Sequence, residues 1–158
     1  MKSMILALVL VVASGCEIQQ PFAGPGFKDG KVTSAAAGPF IASTTILLVK
    51  DDSVSTDTFN KHMTILQEKL KTQPGLIGLS LAFTPLSNKD WRTLAVWESE
   101  DAMFAWVASD EHAAAMSDMA DKAESGSQVA SWEIKKEEVP PTWDDAKAHL
   151  EKDGQAAY

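Results

Sequence analysis

Between Phe40 and Glu138 the apolar residues change their spacing several times, and the order of the changes leaves few folds open. Phe40 to Lys50 is β-branched and apolar, the pattern of a strand. Asp51-Asp52-Ser53 reads as a turn. Thr56 and Asp57 then supply a cap and a first-turn acid, and Phe59, Met63, Leu66 and Leu70 follow at helical spacing to about Thr72. Pro74-Gly75 ends that helix. Leu76 to Phe83 alternates, with Ile77, Leu79, Leu81 and Phe83 on one face. Pro85 to Lys89 is a turn, and Trp91 to Trp97 is another strand. Ser99 caps a second helix with Glu100 and Asp101 in its first turn, and Met103, Trp106 and Val107 along it. The helix restarts at Ser109 and carries Met116 and Met119. Gly126 breaks the chain before a strand from Gln128 to Glu138, with Ala130, Trp132 and Ile134 alternating. Pro140-Pro141 interrupts, and Asp144 to Lys152 reads as a short polar helix.

The order β-α-β-β-α-β predicts an α+β fold: a ferredoxin-like antiparallel sheet with two helices on one face. Both residue sets of the strands are apolar, Leu76, Ala82, Leu94 and Val96 opposing Ile77, Leu81, Ala95 and Trp97. A half-solvated sheet alternates more cleanly, so the second face needs a cover. A second copy packed sheet to sheet, as a homodimer, meets that need. So does the segment before Phe40, or the final helix.

The amino end carries an address. Lys2 is followed by an unbroken apolar run, Met4 to Ala13. The run is too short for a bilayer span of about 20 residues, but has the length of a signal-peptide core, about 7–15 residues. Small residues Ala13-Ser14-Gly15 then precede Cys16, the only cysteine. The pattern resembles the lipobox of bacterial lipoproteins, departing from it at Ala13, where leucine is commoner; the other reading is an ordinary secretory signal cut nearby. The resemblance implies a signal peptide over 1–15 and three acyl chains, palmitate among them, on Cys16. One chain holds only marginally, at about 0.8 kcal/mol per buried CH₂. Glu17 after the cysteine, in place of aspartate, points to the outer membrane facing the periplasm. Residues 16–39, rich in proline, glycine and alanine, read as a lipidated tether; the other reading is a short ordered arm using Phe22 and Phe27. Residues 139–158 read as a tail with a short helix.

With 22 acidic and 14 basic residues the formal charge is −8. This argues against nucleic acid, whose affinity comes largely from Lys and Arg on phosphate. It also argues against docking on anionic lipid. With Cys16 lipidated, no thiol remains for a nucleophile or a metal site, and no Asp/Glu/His grouping has metal-ligand spacing.

Pro74-Gly75-Leu76-Ile77-Gly78, then Thr93 to Ala102 through Val96-Trp97-Glu98-Ser99, then Trp106, Ser109-Asp110 and His112 to Met116 resemble the antibiotic-biosynthesis-monooxygenase family. The resemblance covers residues 40–138 and implies a dimeric α+β barrel. Members include cofactor-independent quinone-forming oxygenases and haem-degrading oxygenases. The haem-degrading branch uses an asparagine on the first strand, a tryptophan on the second helix and a histidine further along it as iron ligand. Trp106 matches that tryptophan. Met116 stands at the histidine position, and the asparagine position falls near Thr44. Haem binding through Met116 or His112 is thus one implied reading, with no cofactor as the other.

His112 is the candidate acid/base, since imidazole titrates near neutrality and can exchange a proton with a phenol; its other reading is a turn-terminating residue bonded to backbone. Trp106 and Trp97 are candidate walls of a site for a flat apolar ligand, or plain core. His62 reads as a boundary residue and His149 as solvated. Two functions follow: a membrane-anchored module binding a small hydrophobic or aromatic ligand, or a cofactor-independent monooxygenase of quinol-like substrates.

Overall fold

The computed structural model describes residues 17–84 and 90–158. The expected signal peptide, Cys16 and the turn Pro85–Lys89 lie outside the described residues. An N-terminal arm holds three short strands, β1 (Ile18–Gln19), β2 (Phe27–Lys28) and β3 (Lys31–Val32). Then follow β4 (Phe40–Leu48), α1 (Ser53–Leu70), β5 (Leu76–Phe83), β6 (Asp90–Trp97), α2 (Glu100–Val107), α3 (Asp110–Met119), β7 (Gln128–Ile134), α4 (Trp143–Asp153) and β8 (Gln155–Ala156). The first helix begins a turn earlier than the sequence pattern placed it, because Asp52 is the cap: its carboxylate accepts from Ser55 N and Oγ at 2.8 and 2.7 Å. The strand expected to reach Glu138 stops at Ile134, and Lys136–Glu138 forms a 3₁₀ turn.

The main sheet has six strands in the order β1-β5-β6-β4-β7-β8, and its pairs are antiparallel. On one face α1, α2 and α3 bury Leu76, Ala95, Trp97, Met103 and Trp106, with a neighbouring cluster of Val49, Phe59 and Met119. Two polar bridges tie α3 to α1: His62 Nε2 lies 2.9 Å from Asp118 Oδ2, and Lys69 Nζ 2.9 Å from Glu111 Oε1. His62 is buried beneath this contact, deeper than a boundary position.

The second face corrects the expectation of a dimeric α+β barrel. The sheet is open, running from one edge at β1 to another at β8 without closing. Its apolar second face, Phe40, Ala42, Ile77, Val96 and Ile134, is packed by Phe22, Phe27, Val32 and Ala36 of the chain's own arm. On the β7 side α4 buries Ala146 and Leu150, and His149 stacks on Trp132 at 4.1 Å with 6° between ring planes. His149 is therefore half-buried on the sheet side of α4, where a solvated residue was expected. A barrel made from two copies needs that face free, and here one chain fills it.

Of the segment 16–39 expected as a tether, the described residues run along the sheet. Gln20 N donates to Leu81 O at 2.7 Å, Ala23 N to Leu79 O at 3.0 Å and Gly26 N to Ile77 O at 2.9 Å. The two-residue turn Asp29-Gly30, with φ of 52° and 75°, reverses the arm between β2 and β3, a conformation suited to this dipeptide. Close approach to β5 requires glycine on both sides: a Cβ on Gly24 would lie 2.3 Å from Gly78 Cα, and one on Gly78 2.5 Å from Phe22 Cε1. Gly24→Ala is therefore expected to lower stability by roughly 1–3 kcal/mol through overpacking. Urea unfolding checks this; an unchanged midpoint would mean the arm contributes nothing.

Candidate functional site

Trp97 ends β6 with its side chain toward the helices, because β6 alternates and Val96 takes the other face. The next residues start α2 at once: Ser99 Oγ accepts from Ala102 N at 3.2 Å, and Glu100 and Asp101 complement the helix N-terminus. Trp106 comes nearly two turns later on the inner side of α2. The helix then breaks at Ala108–Ser109, and Ser109 caps α3 by accepting from His112 N at 3.4 Å. This break carries the chain back so that the His112 ring meets Trp106 edge-on at 5.3 Å.

The result is a row of three rings. Trp97 and Trp106 stack with centroids 6.4 Å apart and 25° between planes. Trp97 is 2% exposed and Trp106 8%. Trp97 Nε1 donates to Ser43 Oγ at 3.0 Å, so the buried indole N–H is satisfied and the ring orientation is set. His112 Nδ1 lies 3.2 Å from Val107 O. A carbonyl only accepts, so Nδ1 carries the proton and Nε2 holds the lone pair in the neutral ring. Burial lowers the His112 pKa below the ordinary value, and the bond to Val107 opposes that in part. The imidazole is accordingly neutral near neutral pH, with its free lone pair on Nε2.

Of the residues singled out from sequence, Trp97, Trp106 and His112 come together. Met116 stays on α3, half-buried, one turn beyond His112. Thr44 does not join them. It is 1% exposed, and its Oγ1 donates to Thr93 O at 2.8 Å. It sits on the opposite face of β4 from Ser43, the residue that reaches Trp97. Sequence reasoning passed over Ser43, though a serine between Ile41 and Thr45 on the helix-facing set was the signal. Cys16 lies outside the described residues.

Trp97, Met103 and Trp106, each no more than 8% exposed, fill the space between β6 and α2. That packing has no slot for a porphyrin, so the residues present do not fit a haem held between sheet and helices. Among the described residues no cluster of three His, Cys, Asp or Glu side chains could hold a metal ion. Two open clefts lie elsewhere. One of about 510 Å³ runs between the arm and the start of α4, over Ser80 and Leu94. The other, about 380 Å³, is lined by Ser34, Gln73 and Glu98. Neither reaches His112. That ring opens instead at the surface, on a helix pair whose Phe104 and Val107 are 55% and 46% exposed.

The depressed His112 pKa has a stability consequence. The unfolded chain binds its proton at the ordinary 6.5 and the folded chain only below that. Stability is therefore expected to fall as pH drops through 6.5 toward the lower folded value, and to be independent of this group at higher pH. His112→Gln should remove that part of the slope, read as the difference between thermal midpoints of the two proteins across the range. Trp97→Phe should cost about 1–2 kcal/mol, by losing the bond to Ser43 and leaving that half-buried hydroxyl without its donor.

The model of the family described as antibiotic biosynthesis monooxygenase matches residues 46–118, from β4 to α3. No curated protein matches the chain. Among solved structures, the cofactor-independent oxygenase SnoaB from Streptomyces nogalater is 13% identical with a TM-score of 0.51, over 66% of this chain and all of that one (100%). A candidate antibiotic biosynthesis monooxygenase from Caulobacter crescentus CB15 is 20% identical with a TM-score of 0.52, over 61% of this chain and 90% of that one. A candidate monooxygenase from Lactobacillus acidophilus NCFM is 14% identical with a TM-score of 0.52, over 63% of this chain. This chain spans about half of that protein's length, 46%. At such identities the likeness is one of fold. The domain built on β4 to β7 thus carries the antibiotic-biosynthesis-monooxygenase-like fold.

Proposed function

We propose that the domain is a cofactor-independent monooxygenase of a flat phenolic, quinol-like substrate, carried on a lipid-anchored chain in the cell envelope. The observation that carries this reading is the His112 ring, held by Val107 O through Nδ1 and set against Trp106, with Nε2 as a neutral base. Removing a phenolic proton makes the substrate electron-rich enough to reduce molecular oxygen itself. A substrate CH₂ then loses both hydrogens, one oxygen atom becomes the new carbonyl oxygen, and the other leaves as water. The protein's part is to take the proton at Nε2 and to hold the substrate ring at the surface beside His112, where Phe104 and Val107 are exposed. The similarity in fold to a cofactor-independent oxygenase supports the reaction class by analogy. The signal-like run Met4 to Ala13 and the small residues before Cys16 support the anchor, and Glu17 supports the outer membrane.

Oxygen uptake by the mature chain, arm included, over a panel of quinols tests the reading. His112→Ala is expected to lower kcat by about 10²–10⁴ and to flatten the acid limb of the pH profile. Equal uptake in both proteins, or none, would leave a module that binds hydrophobic ligands without chemistry. Added haemin should give no shifted Soret band.

A further inference from the structure

We propose that the end of the sheet where the arm begins is a lipid-facing surface, so that the domain rests on the bilayer by this end and does not hang from a tether. The inference rests on the Cys16 anchor proposed above. Its structural part is the docking of the arm. Ile18 pairs with Phe83 and Gln19 with Ala82, and the Glu17 carboxylate accepts from Arg92 Nη1 at 3.0 Å. Glu17 alone separates Cys16 from β1. A residue spans at most about 3.6 Å, so acyl chains on Cys16 would enter the membrane within about 7 Å of that strand.

The same end carries exposed apolar side chains along its breadth, Ile18 at the β1 edge, Val54 on α1, and Val129 and Tyr158 toward the β8 edge. β4 finishes there, with Leu48 paired to Asp90, and α1 starts there; β7 begins there beside β8. Ile18, Val54, Val129 and Tyr158 are 46%, 65%, 36% and 44% exposed. They are four of the seven large apolar side chains found exposed among the described residues. Scattered singly such residues need no explanation, but a set at the end next to an acyl anchor suits the bilayer interface, where tyrosine is enriched. Among the described residues at this end, the acids Glu17, Asp51, Asp52, Asp90, Asp121 and Glu124 outnumber the bases Lys50, Arg92 and Lys122. The surface therefore suits zwitterionic headgroups, with the acyl chains supplying attachment. His112 is at the other end, beside Glu111 and level with Lys69 in the last turn of α1, so this orientation turns its ring away from the membrane.

Lipidation would consume the only native thiol, so an introduced cysteine can be labelled alone. Val54→Cys and Asp101→Cys, carrying an environment-sensitive fluorophore, would be made in the lipidated mature protein and placed in phosphatidylcholine vesicles containing doxyl lipid. Emission at position 54 is expected to fall about twofold or more, as for a group at the interface, while position 101 is unaffected. A flexible glycine–serine insert between Cys16 and Glu17 should bring position 54 to the level of 101. Equally weak quenching at both positions in a protein whose mass shows the acyl chains overturns the orientation and leaves the anchor standing. A mass without acyl chains overturns both.

Discussion

A β-sheet that is apolar on both faces has to be covered on both, and nearly everything else in this molecule depends on how the second face is covered. Phe40, Ala42, Ile77 and Val96 are fully buried there. Phe40, Ile77 and Val96 are each worth about 1.5–3 kcal/mol when removed from water, a large share of a small domain's net stability. The cover comes from two pieces that flank the β-α-β-β-α-β unit in sequence: the arm before β4 and the helix after β7. Covering the face within one chain leaves the sheet open, with two-residue strands β1 and β8 at its edges. Short edges offer little backbone for another strand to pair with.

The helix face is organised by a different device, a break in a helix. Had α2 continued past Ala108, His112 would have been carried further from Trp106 along a straight axis. Ser109 stops it and starts α3 in a new direction, so a residue six positions after Trp106 returns to its ring edge. The same turn gives His112 the Val107 carbonyl, which selects the tautomer. The polar bridges from α1 to α3 then hold the second helix where the first needs it. The half-exposed Lys69–Glu111 pair adds about 0–1 kcal/mol at most, so its effect is on position more than on stability.

Much of the core fold was legible from spacing. The strands and helices between Phe40 and Ile134 follow from apolar periods of two and of three to four, because both periods are local properties of the chain. Trp97, Trp106 and His112 could be singled out from their motif and their chemistry. Thr44 could not be placed correctly by counting: a one-residue offset along a strand moves a side chain to the other face, and Ser43 is the residue that faces Trp97. The arm was harder. Its proline, glycine and alanine content reads as linker, since it carries no sustained period of its own. Its order comes from backbone bonds to β5 and from four side chains inserted over a distant face. The Asp29-Gly30 pair between Phe27 and Val32 was the one local sign of a hairpin there.

By itself the sequence determined the order of the elements, the acidic charge, the single cysteine after an apolar run and the ring-bearing residues of the candidate site, because each is a property of neighbours along the chain. Only the tertiary structure decided that the sheet stays open, that the arm lies along the sheet, and that His149 stacks on Trp132. The physical reason is the same in each case. Two apolar faces demand burial without specifying by what, and which segment of the chain supplies it is a matter of distance and fit in three dimensions, such as the approach of Gly24 to Gly78 that no residue with a Cβ would permit.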